Sequence, residues 1–209
     1  MSEAITEQML TALRAEMERT LSPTRFAHTK GVERMAAFMA QLYCPTLESE
    51  LRAAALLHDS TKEYTDARQL EILAANGVAL RPDEARAPKI WHAMTAALEI
   101  PVRYPVFATP TVLGAVRWHT TGRADMTQAE AILYLADLIE ENRNYPALVA
   151  LRNRFLGADP KTLAPDARLV LLHEVLCAAL AQAAEKLGEG ACADTLSALN
   201  YETDVLKGK

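Results

Sequence analysis

The stretch LRAAALLHDSTKE, residues 51–63, runs through small and branched apolar side chains and then turns to a histidine and an aspartate. Alanine and leucine are strong helix formers, so residues 51–57 read as a buried helix. His58 and Asp59 then stand where a core would otherwise continue. A carboxylate at such a place needs a partner, because burying it alone costs several kcal/mol. Either the helix surfaces here, or His58 and Asp59 belong to a larger group whose other members lie elsewhere in the chain.

Outward from this stretch, helix signals recur and alternating strand patterns do not. Ser22-Pro23 is a cap followed by proline at the first helical position, and Phe26, Val32, Met35, Phe38, Met39 and Leu42 come after it at helical spacing. A second helix opens at Thr46 or Glu48 and runs to about Asp59, and a short one runs from Asp66 to Asn76-Gly77. Another spans roughly Pro88 to Glu99. Thr109-Pro110 begins a helix ending near His119, and Thr127 to Glu130 is a capping box for one that reaches about Glu141. Pro146 opens a further helix. The spacing predicts a long one over Pro165–Leu187 and a last short one over Ala191–Leu199. The piece IPVRYPVFATP, 100–110, reads as a surface loop. The expectation is an all-α chain forming one domain over 1–209.

At 209 residues, half of them apolar, the chain can bury a sizeable core. Its 22 basic against 27 acidic residues argue against a nucleic-acid groove, while a small phosphorylated ligand held by a few local cations remains compatible. Cys44, Cys177 and Cys192 show no paired spacing, as in a reduced protein. MSEAITEQML has no basic segment followed by an apolar one, and no run approaches 18 unbroken apolar residues. A cytoplasmic protein with no membrane span is expected.

Four histidines beside polar neighbours stand out: His28, His58, His92 and His119. Asp59 follows one of them, and Asp137 interrupts the apolar stripe of AILYLADLIEENR. Each histidine alone reads more readily as an ordinary hydrogen-bonded residue than as a ligand. Asp137 has no Arg or Lys within one turn, and Arg143 would have to reach back to it. Imidazole and carboxylate together suit iron, manganese, zinc or nickel. Six such groups exceed one tetrahedral site and fit two adjacent metals sharing a carboxylate. His173, in LVLLHEVLCAAL, reads as structural.

The order His28, His58-Asp59, His92, His119, Asp137 resembles the HD-domain metal-dependent phosphohydrolases. RFAHTKGVERMA, AALLHDSTKE, AVRWHTTGRADMT and AILYLADLIEENRNYP look more narrowly like the YqeK-type symmetrical bis(5′-nucleosyl)-tetraphosphatases. The resemblance covers about 22–155 and leaves the C-terminal helices, 156–209, outside it. Two departures lie at Met94-Thr95-Ala96-Ala97, after the third histidine, and in the proline-rich 100–110.

The resemblance implies an HD-domain helical bundle. His28, His58, Asp59 and Asp137 would hold one metal, and His92 and His119 a second, with Asp59 bridging. The metal would be iron, with manganese or another divalent ion as the alternative. The activity implied is cleavage of diadenosine tetraphosphate into two ADP by a metal-bridged hydroxide. Candidate catalytic residues are Asp59, Lys62 and Arg123. Lys62, Thr120, Thr121, Gly122, Arg123, Asn142 and Arg143 are candidates for contact with the nucleotide, although Lys62 and Arg123 read equally as solvated charge. The alternatives are an HD nucleotidase acting on mononucleotides and a non-catalytic module sensing nucleotide or metal. A small-molecule nucleotide is the expected partner, without nucleic acid or membrane. The apolar helix 165–187 would serve the core or the face of a homodimer.

Overall fold

Three helix starts are capped by the chemistry their sequences carry. Ser22, Thr109 and Thr127 each accept a hydrogen bond from the backbone N–H three residues on, and Glu130 closes the third box by accepting from the Thr127 N–H. The computed structural model describes residues 4–208, arranged in helices α1 (Glu7–Thr20), α2 (Pro23–Tyr43), α3 (Glu48–Leu57), α4 (Asp66–Ala75), α5 (Pro82–Ala85), α6 (Trp91–Arg103), α7 (Pro110–Trp118), α8 (Gln128–Ile139), α9 (Pro146–Gly157), α10 (Pro165–Leu187) and α11 (Ala193–Lys207). No strand occurs among the described residues. The fold is all-α.

Helix α3 lies at the centre, against α1, α2, α7 and α8. Its run from Ala53 to Leu57 is completely buried. One apolar cluster extends from Leu10 in α1 to Ala198 in α11, and a smaller one joins Leu73, Trp91 and Met94 where α4 meets α6. Helices α9 and α10 pack against α8 and each other, and α11 packs on α10.

Three expectations need correction. The helix expected from Pro88 begins as a single 3₁₀ turn, Pro88–Ile90, and α6 then runs on through Pro101 to Arg103. Most of the expected loop 100–110 is therefore the end of α6 and a second 3₁₀ turn, Pro105–Phe107. The buried Ile100 anchors this last turn while Pro101 stays exposed, so the missing proline N–H does not halt the helix. The final helix extends to Lys207 rather than Leu199, because Glu202, polar in the sequence, is buried against His173. Pro165–Lys186 is long and apolar enough to cross a membrane by length and composition alone. Counting unbroken apolar residues does not register it, since His173, Glu174 and Gln182 interrupt the run. Here it packs on α8, α9 and α11, with Leu172, Val175, Leu176, Ala179 and Leu180 buried.

Candidate metal centre

Each of the six residues singled out in the sequence reaches one place from a different structural position. His28 projects from α2, His92 from the first turn of α6 and Asp137 from the last turn of α8. His58 and His119 occupy the C-caps of α3 and α7, with Asp59 directly after the first. The turn behind Asp59 fastens α6 in place. The Thr61 hydroxyl donates to the His92 carbonyl at 2.9 Å, and Lys62 Nζ donates to the Lys89 carbonyl at 3.3 Å.

The same device orients both capping histidines. The carbonyls of a helix's last turn lack intrahelical donors. His58 Nδ1 lies 2.6 Å from the Ala55 carbonyl, and His119 Nδ1 lies 2.7 Å from that of Val116. A carbonyl only accepts, so each Nδ1 carries the proton and each Nε2 presents its lone pair to the cluster. His28 is oriented by a carboxylate instead, with Nδ1 3.1 Å from Glu140 Oε1.

Asp59 stands between two halves. Its Oδ2 lies 3.4 Å from His58 Nε2 and 3.8 Å from His28 Nε2. Its Oδ1 lies 3.1 Å from His92 Nε2 and 3.9 Å from His119 Nε2. Asp137 Oδ1 faces the first half, 2.9 Å from His28 Nε2 and 4.0 Å from His58 Nε2. In the second half, His92 Nε2 and His119 Nε2 are 3.1 Å apart. Ligand atoms of His28, His58 and Asp137, and of His58, Asp59 and His119, lie close enough together to hold a metal ion.

Burial and neighbouring charge set the protonation. Burial, with the neighbouring imidazoles of His58 and His92 acting the same way, pushes His119 down to about 3, so it stays neutral. Burial lowers His92 as well, against the pull of Asp59. For His28 burial acts downward, but hydrogen bonds to Asp137 and Glu140 prevail and raise it to about 9. Burial works to raise Asp59 and Asp137, yet His58 and His92 hold the first well below the carboxylate range, and His28 and Arg143 do the same for the second.

These residues fit a metal. His58 Nε2 is buried with no hydrogen-bond partner, and an orphaned imidazole lone pair among carboxylates is a ligand set for divalent transition metals.

Cations gather on the same cluster. Arg143 does reach back, with Nη2 2.5 Å from Asp137 Oδ1 and Nε donating to the Asp137 carbonyl. Arg25 Nη1 lies 2.6 Å from Asp59 Oδ2, and Lys62 Nζ lies 3.1 Å from His92 Nδ1. Arg25 and Glu140 escape a reading of the sequence alone. The signal that could have found them is helical spacing, Arg25 one turn before His28 and Glu140 one turn after Asp137.

The other candidates are more scattered. Thr120 lines a cleft with its hydroxyl buried and unpartnered. Thr121 is buried and donates to the Gly122 carbonyl, and Gly122 takes a left-handed turn, φ 64°, against Leu180 and Ala198. Arg123 pairs with Glu130 at 2.8 Å and lines neither of the two clefts that flank the cluster. Asn142 donates its backbone N–H and its amide to Glu140.

One of these clefts, of 780 Å³, is lined by Arg25, His28, Glu140, Asn142 and Asn144 together with the apolar Pro23 and Ala27. The other, 890 Å³, opens between α8, α9 and α10 and reaches His119 and Asp137. Arg143 and Tyr145 line both.

Residues 25–142 match the model of the HD domain family. The chain is 30% identical over 137 residues to a symmetrical bis(5′-nucleosyl)-tetraphosphatase of Bacillus subtilis, an alignment covering 65% of this chain and 72% of the relative. It is 31% identical over 134 residues to a protein of the same name from Halalkalibacterium halodurans, covering 64% and 70%. The crystal structure of a predicted HD superfamily hydrolase involved in NAD metabolism, from Clostridium acetobutylicum, superposes with a TM-score of 0.78 at 24% identity. That match covers 93% of this chain and 97% of the other.

Proposed function

The chain belongs to the HD-domain family and is an HD-domain hydrolase, and from that premise we propose that it cleaves dinucleoside polyphosphates symmetrically, diadenosine tetraphosphate and water giving two ADP. The observation that carries this reading is the pair of clefts meeting on one ligand cluster and sharing Arg143 and Tyr145. A substrate with a nucleoside at each end of a polyphosphate has a use for both. The names of the relatives in Bacillus and Halalkalibacterium support the same substrate class.

In this reading His28, His58, Asp59 and Asp137 would hold one metal ion, expected to be iron, and His92 and His119, with Asp59, would hold another. When bound, such a pair supplies Lewis acidity, acidifying a water and taking up charge on the attacked phosphate. The chain's own groups do the rest. The guanidinium forks of Arg25 and Arg143, now resting on Asp59 and Asp137, can each take two phosphate oxygens. Lys62, whose pKa burial lowers, adds a point charge beside His92. Symmetrical cleavage would require water to attack a phosphorus beside the central bridging oxygen, in line with the departing ADP. The free thiols Cys44, Cys177 and Cys192 support a reducing, cytoplasmic setting.

Separation of the products decides the matter. Purified protein, given diadenosine tetraphosphate, is expected to yield ADP alone. Formation of ATP with AMP, or an untouched dinucleotide while a nucleoside monophosphate loses phosphate, overturns the proposal. Metal analysis of protein purified without chelator is expected to find about two ions per chain, mainly iron.

A further inference from the structure

The HD-domain match ends at residue 142, yet α11, well beyond it, reaches the segments on either side of the chain that carry His92 and His119. We infer that α11 positions these two histidines, bracing the second half of the ligand cluster from behind through Asp194 and Tyr201. The inference rests on the ligand assignment proposed above and extends it to residues that touch no ligand.

For His119 the brace acts on the turn that follows α7. Gly122 and Asp125 both take left-handed backbone there, with φ 64° and 54°. An aspartate in that region is uncommon, and it persists where its surroundings impose the conformation. Two contacts from α11 hold this turn. The backbone at Gly122 runs so close to α11 and α10 that a Cβ would stand 3.3 Å from Ala198 and from Leu180. The Tyr201 hydroxyl donates to Asp125 Oδ1 at 2.9 Å. Gly122 in turn donates its N–H to the Trp118 carbonyl at 2.9 Å, closing the helix end that His119 caps.

For His92 the brace acts through α5. Arg81 Nη2 lies 2.6 Å from Asp194 Oδ2, and Asp83 accepts the Ala193 N–H at 2.9 Å. Glu84, buried on the same short helix, turns these contacts inward. Its carbonyl accepts the indole N–H of Trp91, the neighbour of His92, at 2.8 Å. Its carboxylate lies 3.5 Å from Arg117, two residues before His119. The first half of the cluster is built differently. His28, His58 and Asp137 come from α2, the end of α3 and α8, which pack directly on one another. Loosening α11 therefore releases one half of the cluster and leaves the other in place.

Calorimetric titration of the full chain with Mn²⁺ tests the brace. Tyr201→Phe removes one hydroxyl at an exposed position, and Asp194→Asn removes the charge that meets Arg81. Each is expected to weaken one of two ions about tenfold and to leave the other as in wild type. Glu174→Gln, which breaks the pair of Arg154 and Glu174 between α9 and α10, should change neither. NMR of the imidazole nitrogens without added metal supplies a second readout. In Tyr201→Phe and Asp194→Asn the resonances of His92 and His119 are expected to move, and those of His28 and His58 to stay. Variants that bind Mn²⁺ as wild type does, that weaken both ions alike, or that shift all four imidazoles together overturn the brace. A wild-type chain that takes up a single ion overturns the two-metal assignment instead, and the imidazole resonances then decide the brace by themselves.

Discussion

Gly31 occupies the middle of α2, a position where alanine is ordinarily more favourable by about 1 kcal/mol. The glycine is explained by its neighbour, since a Cβ there would overlap Glu140 Oε2. Glu140 uses that space to reach His28 Nδ1 and so decides which ring nitrogen faces the cluster. Partners behind metal ligands typically govern affinity by about 10- to 100-fold. Glu140→Ala should therefore weaken metal binding by that order in chelator competition. Gly31→Ala should do the same although it touches no ligand and improves intrinsic helix propensity. Unaltered affinity in both variants would remove Glu140 from this role. The six ligand-type residues are legible in the sequence because histidine and aspartate are conspicuous among alanines and leucines. Glu140 and Arg25 are not, since a glutamate at a helix end and an arginine in a first turn look like ordinary surface charge until the partner helix is in place.

At the level of elements, the start of α11 shows a cap supplied from far away in the chain. Its N-cap residue Cys192 makes no side-chain cap; instead Asp83 of α5 accepts the Ala193 N–H at 2.9 Å, and Arg81 ties Asp83 to Asp194. That backbone hydrogen bond, with Arg81 beside it, lowers Asp83 to about 2. A carboxyl depressed in the folded state stabilises it above the ordinary pKa, near 4, and loses that effect as the pH falls through its folded value. The thermal midpoint of Asp83→Asn should accordingly lie below that of wild type at pH 6, with the gap closing as the pH falls from about 4 towards 2. A gap that persists at pH 2 would show that packing, not charge, fastens α11. Helix starts with Ser-Pro, Thr-Pro or a capping box are readable because their chemistry is local. The ends of α6 and α11 are not, because Ile100 and Glu202 owe their burial to partners distant in sequence. Gly122 shows the same dependence on packing. In the sequence it suggests a pliable approach to phosphate, but its left-handed turn packs against α10 and α11, and Gly122→Ala should cost about 1 kcal/mol or more in denaturant unfolding.

For the whole molecule, residue order is enough to announce the all-α fold and the ligand cluster, while the clefts beside it depend on how α8, α9 and α10 lie together. No periodicity in α10 distinguishes a core helix from one that also lines a cleft. The cluster itself draws on α2, α6 and α8 and on the ends of α3 and α7, and His28 and its partner Glu140 stand 112 positions apart. Contacts that far apart close late in folding, after the intervening helices have formed. An ion held there can therefore do little to speed the chain into shape and much to delay its escape, since it binds the finished arrangement and not the path towards it. Chelated and metal-loaded protein should refold from denaturant at similar rates, while the loaded form unfolds far more slowly. The cluster would then act as a clasp on a completed fold, and the lifetime of the native state would follow the supply of metal.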